Sequence, residues 1–158
     1  MNLQYFATTL TDLESTLTTG TGVIAGKNML LQIYDATGES YTTIAGQQGL
    51  SIGRSAETID FNSKTTGGWK GSLAGLKEWS IDVDGVMYQG DDGITLLENA
   101  FENTSYVLVK IIDATDEENL TDMFAGLAVI TDFSLDAPYD DVYTYSLSLQ
   151  GTDELVAL

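Results

Sequence analysis

The sequence predicts a mainly β fold, an antiparallel β-sandwich or partly closed barrel with one flanking α-helix and an N-terminal arm. Three observations predict it. From Gly26 onward, apolar and polar residues alternate with a period of two, the pattern of strands with one buried face. Glycines at 38, 46, 49, 53, 85, 90 and 126 punctuate the alternating runs as turns or bulges. Only one internal segment combines a helical period with a cap. A chain of 158 residues, 43% hydrophobic and 19% charged, is one domain in size and can bury a core without covalent staples.

Residues 1–25 stand apart from residues 26–158, which form the predicted β domain. Leu3, Phe6, Leu10, Leu13 and Leu17 recur at spacings of three and four, one face of a helix. The threonines around them weaken helix formation through β-branching. The segment reads as an arm or short amphipathic helix, packed on its own domain or docked on a neighbour.

The strands follow in order. Met29–Tyr34 and Tyr41–Ala45 are nearly all apolar, and Ile59 and Phe61 alternate with Thr58, Asp60 and Asn62. Trp79, Ile81 and Val83 alternate with Glu78, Ser80, Asp82 and Asp84. Asp91 and Asp92 offer cap oxygens to a helix with Ile94, Leu97 and Phe101 on one face. Asn103 is expected to end that helix in the left-handed conformation. Tyr106–Ile112 is a further apolar strand. Leu127, Val129, Phe133 and Leu135 are assigned to one face of the next strand, and Tyr143, Tyr145, Leu147 and Leu149 to one face of the last.

Charge and composition exclude several functions. Six basic residues face 24 acidic ones, for a net charge of −18, and there is no cysteine or histidine. Disulfides, thiolate or imidazole metal sites and Ser-His or Cys-His catalysis are therefore absent. Lys27, Arg54, Lys64, Lys70, Lys77 and Lys110 are scattered singly, so nothing resembles the clustered basic patch that neutralises phosphates. Such a chain repels DNA and anionic lipid. No apolar run is long enough to span a membrane, and the first basic residue is Lys27, so a secretory n-region is missing. Cytoplasmic synthesis without membrane anchoring is the expectation.

No constellation for chemistry survives inspection. The acidic pairs Asp91–Asp92, Glu117–Glu118, Asp140–Asp141 and Asp153–Glu154 lie in turn segments, where carboxylates point into water and not across a cleft. Asp82-Val83-Asp84-Gly85 begins like a calcium loop, but Met87 stands where the loop needs glycine. The acidic loop Asp113–Asp122 is a weak cation candidate of the hydrated kind. The expectation is a non-enzyme with no catalytic residue, cofactor or metal.

Two features remain for a binding or assembly role. The strand face of Glu78, Ser80, Asp82 and Asp84 is uniformly polar, either an outer wall in water or the lining of a passage built by several copies. Trp69 follows Gly67 and Gly68 with Lys64 and Lys70 beside it. An aromatic in such a loop either anchors the loop or inserts into a partner.

Three stretches, GGWKGSLAGLKEWSIDVDG at 67–85, AVITDFSLDAPYDD at 128–141 and YSLSLQGT at 145–152, resemble the major tail protein of long, non-contractile-tailed bacteriophages of the TP901-1-like family. GKNMLLQIY at 26–34 resembles that family's first strand, and the order of elements agrees. The resemblance implies a structural subunit of the virion, a β-sandwich that assembles as hexameric rings stacked into a tail tube. Its implied partners are its own copies, the tape-measure protein inside the tube, and the tail-tip and tail-terminator proteins at its ends. Viral DNA passes through without specific binding. Within that picture Glu78, Ser80, Asp82 and Asp84 become lumen-facing candidates, and Lys64, Gly67, Gly68, Trp69 and Lys70 candidates for the contact between rings. Residues 1–23 precede the family's usual start. A glycan-binding β-sandwich or adhesin, and the tube subunit of a contractile tail or secretion machine, are the competing expectations.

Overall fold

The computed structural model describes residues 25–62, 64 and 67–158; the arm positions Leu3, Phe6, Leu10, Leu13 and Leu17 lie outside the described residues. After a single 3-10 turn at Gly26–Asn28 come strands β1 (Met29–Asp35), β2 (Ser40–Thr43), β3 (Gln47–Phe61) and β4 (Gly71–Val86). Helix α1 (Asp92–Glu102) follows, then β5 (Tyr106–Asp113), β6 (Thr121–Asp136), β7 (Thr144–Gly151) and β8 (Val156–Ala157). The strands form one antiparallel sheet in the order β2-β1-β5-β6-β7-β4-β3, with β8 added to the far end of β6.

The sheet curls around its own core and does not close. Leu31, Ile33, Trp79, Ile81, Val83, Val107, Val109, Ile111, Tyr145, Leu147 and Leu149 all point inward and are buried. Ile94 and Leu97 of α1 pack against the same cluster. Burial of side chains this size stabilises by about 1.5–3 kcal/mol each, so the inward rows hold the sheet in its curl. The gap between β1 and β3 is bridged by one side chain. Leu31 N donates to the Gln47 amide oxygen at 2.8 Å, and Gln47 Nε2 donates to the Leu31 carbonyl at 2.8 Å. An amide side chain thus makes the pair of bonds that a neighbouring strand would make.

Asp91 fixes the helix to the sheet. One of its oxygens accepts from Gly93 N at 2.9 Å as the helix cap, and the other accepts from Ala45 N at 2.9 Å. The helix ends at Asn103, but Asn103 has φ −88° and the left-handed residue is the next one, Thr104, at φ 52°. Phe101, expected on the buried face, is 46% exposed because it lies at the last turn, beyond the reach of the core.

The reading of β6 also needs correction. A bulge at Thr131 shifts the pairing with β7 between Ile130 and Asp132, which swaps the faces of every later residue. Ala128 and Ile130 therefore point to the core before the bulge and Phe133 after it. Leu127 and Val129 pair with Leu108 and Tyr106 on the opposite face.

Tyr145 is buried under the turn at Ala45, and its hydroxyl approaches the Ala45 carbonyl at 3.4 Å. Burial, with the Asp91 and Asp84 carboxylates adding, pushes its phenol from the ordinary value of 10 up to about 12. A neutral phenol held above its unfolded value contributes stability that is complete below pH 10 and disappears as pH rises toward 12. Alkaline denaturation should therefore steepen above pH 10, and Tyr145→Phe should remove that component of the pH profile. An identical alkaline limb in Tyr145→Phe would discard the assignment.

Candidate assembly surfaces

Backbone register builds a polar face from β3, β4, β7 and the last part of β6. Ser51, Asp82, Ser148 and Asp132 form one row across four strands, and Asp84, Ser146 and Ser134 form the next. Gly53, Ser80 and Gln150 form a third row, and Ser55 opposite Glu78 a fourth. Small and hydroxyl residues surround each carboxylate. Ser148 donates to Asp82 at 2.6 Å, Ser134 to Asp132 at 2.6 Å and Ser55 to Glu78 at 2.8 Å. Hydroxyls that donate to carboxylates fix the direction of the negative charge without neutralising it. Glu78, Asp82 and Asp84 are exposed, as are Asp132 and Asp136, while Ser80 is half-buried. The four predicted residues thus share one face, and none of the residues in these rows is basic. The sequence reading missed Asp132, Asp136, Ser146 and Ser148, which the alternation in β7 and the bulge in β6 bring alongside.

A second surface is a hairpin that leaves the body of the sheet. β7 pairs with β4 only from Ser80 to Val86, whereas β3 and β4 stay paired down to Phe61 and Gly71. Residues 56–77 are therefore a two-stranded arm with no third strand to cover it. Ile59 faces Leu73 directly, and the Phe61 ring lies over Gly71, where any Cβ would collide with it. These side chains are exposed, as is Leu76 at 79%. Trp69 is 83% exposed at the tip, next to Gly67 and Gly68, both with positive φ. Lys70 pairs with Asp60 across the arm, and this ammonium, with a bond from Ser72, holds the Asp60 carboxyl below its usual value. The sequence-predicted loop residues Lys64, Gly67, Gly68, Trp69 and Lys70 are all exposed at this tip, and Trp69 does not anchor the loop.

At the acidic loop between β5 and β6, the Asp113 and Asp116 carboxylates accept bonds from within the loop. Asp116 accepts from Glu118 N at 3.1 Å and from the Asn119 amide at 3.0 Å, and the Asn119 bond is the main cause of its lowered pKa. Among the described residues no three acidic groups converge to hold a metal ion. No described helix is long and apolar enough to cross a membrane.

A family model described as phage tail tube protein matches residues 23–157. The chain belongs to the phage tail tube protein family. Among solved structures it is similar to the tail of an empty gene transfer agent particle, with 25% identity and a TM-score of 0.71 over 86% of this chain and 99% of that one. The SPP1 tail tube is similar at 21% identity and a TM-score of 0.67, over 84% and 78%. A chain of the sheath-tube complex of an extracellular contractile injection system shares the fold at 15% identity and a TM-score of 0.61, over 87% and 94%. No curated protein matches in sequence. This tail tube protein is a structural subunit of a phage tail.

Proposed function

We propose that the tail tube protein assembles as hexameric rings that stack into a hollow conduit, with the carboxylate–serine face turned to the lumen. The observation that carries this reading is that face itself: four strands of ordered carboxylates and hydroxyls with no cation among them. At −18 per copy, six copies bring roughly a hundred negative charges to each ring. A duplex of the same sign passes such a wall without adhering, within a screening length of about 8 Å. The two open sheet edges, β2 and β3, offer the backbone pairing that joins neighbours within a ring.

The hairpin arm supplies contacts between rings, with Lys64, Gly67, Gly68, Trp69 and Lys70 at its tip. The protein acts without catalysis or cofactor, as a member of the TP901-1-like group. It is made in the host cytoplasm and works in the virion with the tape-measure protein inside the tube and tip and terminator proteins at its ends. Electron microscopy of the concentrated purified protein tests the reading. Hollow tubes or rings are expected; a protein that stays monomeric at every concentration and salt, even with its tail tip, overturns it.

Two results should accompany tubes. Trp69→Ala should leave the melting temperature unchanged and stop polymerisation, since the indole touches solvent in the free subunit; normal tubes from this variant would clear Trp69 of the role. Like-charged bodies resist association, so raising ionic strength from ~0.01 to ~1 M, which shortens the screening length from about 30 to about 3 Å, should increase tube mass. Sedimentation yields independent of salt would show that repulsion is minor.

A further inference from the structure

Strand β4 carries a different surface at each of its ends. Its first half forms the hairpin arm, and its last residues lead to Tyr88 at the opposite pole of the sheet. Residues 56–77 of the arm hold three of the chain's six cations, Lys64, Lys70 and Lys77, against two carboxylates, Glu57 and Asp60, while Arg54, paired with Trp79, lies over the Phe124 ring at the arm's base. In a molecule of net charge −18 this is a local reversal of sign. The opposite pole is built from the β4–α1 connection and the β6–β7 loop, joined by Met87 N donating to the Tyr143 carbonyl at 2.8 Å. It presents Tyr88, Tyr139, Val142 and Tyr143 to solvent, with Tyr139 fully exposed. Asp136, Asp140 and Asp141 stand among them, and residues 136–143 contain no cation.

We infer that the Tyr88–Tyr139–Tyr143 pole, with Asp140 and Asp141, is the socket that receives the hairpin arm of a second copy from the next ring. The occupant follows from complementarity. The arm has exposed Ile59, Phe61, Leu73 and Trp69 with ammonium groups beside them, and the pole has exposed aromatic rings with carboxylates beside them. Apolar surfaces meet at the centre and opposite charges at the rim, with tyrosine faces open to lysine. The two surfaces lie at opposite ends of one strand and differ from each other, so the contact is heterologous. A head-to-tail contact whose two surfaces lie at opposite poles of the subunit joins copies by translation along that axis, so it extends a stack and does not close into a ring. Its ionic part is short-ranged, so the effect of salt on assembly still follows the charge of the whole subunit.

This inference rests on the proposed stacking of rings, and the test separates the two. The chain has no cysteine, so engineered thiols are its only ones. Tubes of a Lys64→Cys, Asp140→Cys double variant treated with a short bis-maleimide should give a covalent ladder of many subunits. Neither single variant should give more than dimers. Independently, Tyr139→Ala combined with Asp140→Lys and Asp141→Lys should lower tube mass at least tenfold while the free subunit melts as before. Full-length tubes from the pole variant, or tubes of the double-cysteine variant with no ladder, overturn the socket and leave the tube standing. Absence of tubes from the unaltered protein under all conditions removes both.

Discussion

Trp79→Ala should destabilise the subunit by about 3–5 kcal/mol, the range for removing a large buried aromatic. Trp79 is 6% exposed and lies in a slot lined by Gly126 and Gly151, where a Cβ on either glycine would run into the indole. Leu155 closes the slot from the C-terminal segment. The indole N–H donates to the Asp153 carbonyl at 2.6 Å, so the ring ties β4 to the chain that follows β7. Truncation removes the packing and the tie together, and rigid glycine backbone cannot collapse into the space. Against a total of about 5–15 kcal/mol for a domain, the loss is a large fraction. Urea denaturation followed by circular dichroism should show the midpoint fall with the slope retained. A midpoint close to that of the unaltered protein would mean that the slot is not a keystone. Trp69→Ala provides the contrast, because that ring is exposed in the free subunit and its loss should touch assembly alone.

The two tryptophans also show where sequence speaks clearly. Trp79, Ile81 and Val83 alternate strictly with polar residues, because one face of β4 is buried there and the other wet. The polar face of Glu78, Ser80, Asp82 and Asp84 was legible for the same reason. The hairpin arm was not: over Ala56–Phe61 and Gly71–Leu76 neither face is covered, so burial imposes no alternation, and only the Ile59–Phe61 fragment registers as a strand. The β6 bulge was hidden because Val129, Ile130 and Phe133 are apolar on both sides of the shift. A period-two count then continues through Thr131 without a break. Asp132 and Asp136 alternate with Phe133 and Leu135 on either count; what the extra residue moves is Leu127 and Val129, off the core face. Helix α1 announced itself by Asp91, whose second bond to Ala45 N is a tertiary contact that no local pattern encodes.

Reversing Asp82 and Asp84 to lysine should slow or block DNA ejection while tubes form normally. Both side chains are exposed, and their main protein partner is a single hydroxyl bond from Ser148 to Asp82, so the fold loses little. The change in the conduit is far larger. In a sixfold ring the two reversals place about a dozen ammonium groups on the wall in place of carboxylates. A duplex presents one phosphate per about 1.7 Å of axis, and each contact that forms releases a counterion, so adhesion builds up along every ring that the DNA crosses. The effect should fade as salt rises, because the same release becomes unfavourable. Asp82→Asn with Asp84→Asn should act more weakly, since it removes repulsion without adding attraction. Ejection from phage carrying each variant, followed by a DNA-binding dye at low and high salt, reads the difference. Normal ejection from the lysine variant at low salt would place this face on the outside of the tube, where the carboxylates serve only to keep like surfaces apart.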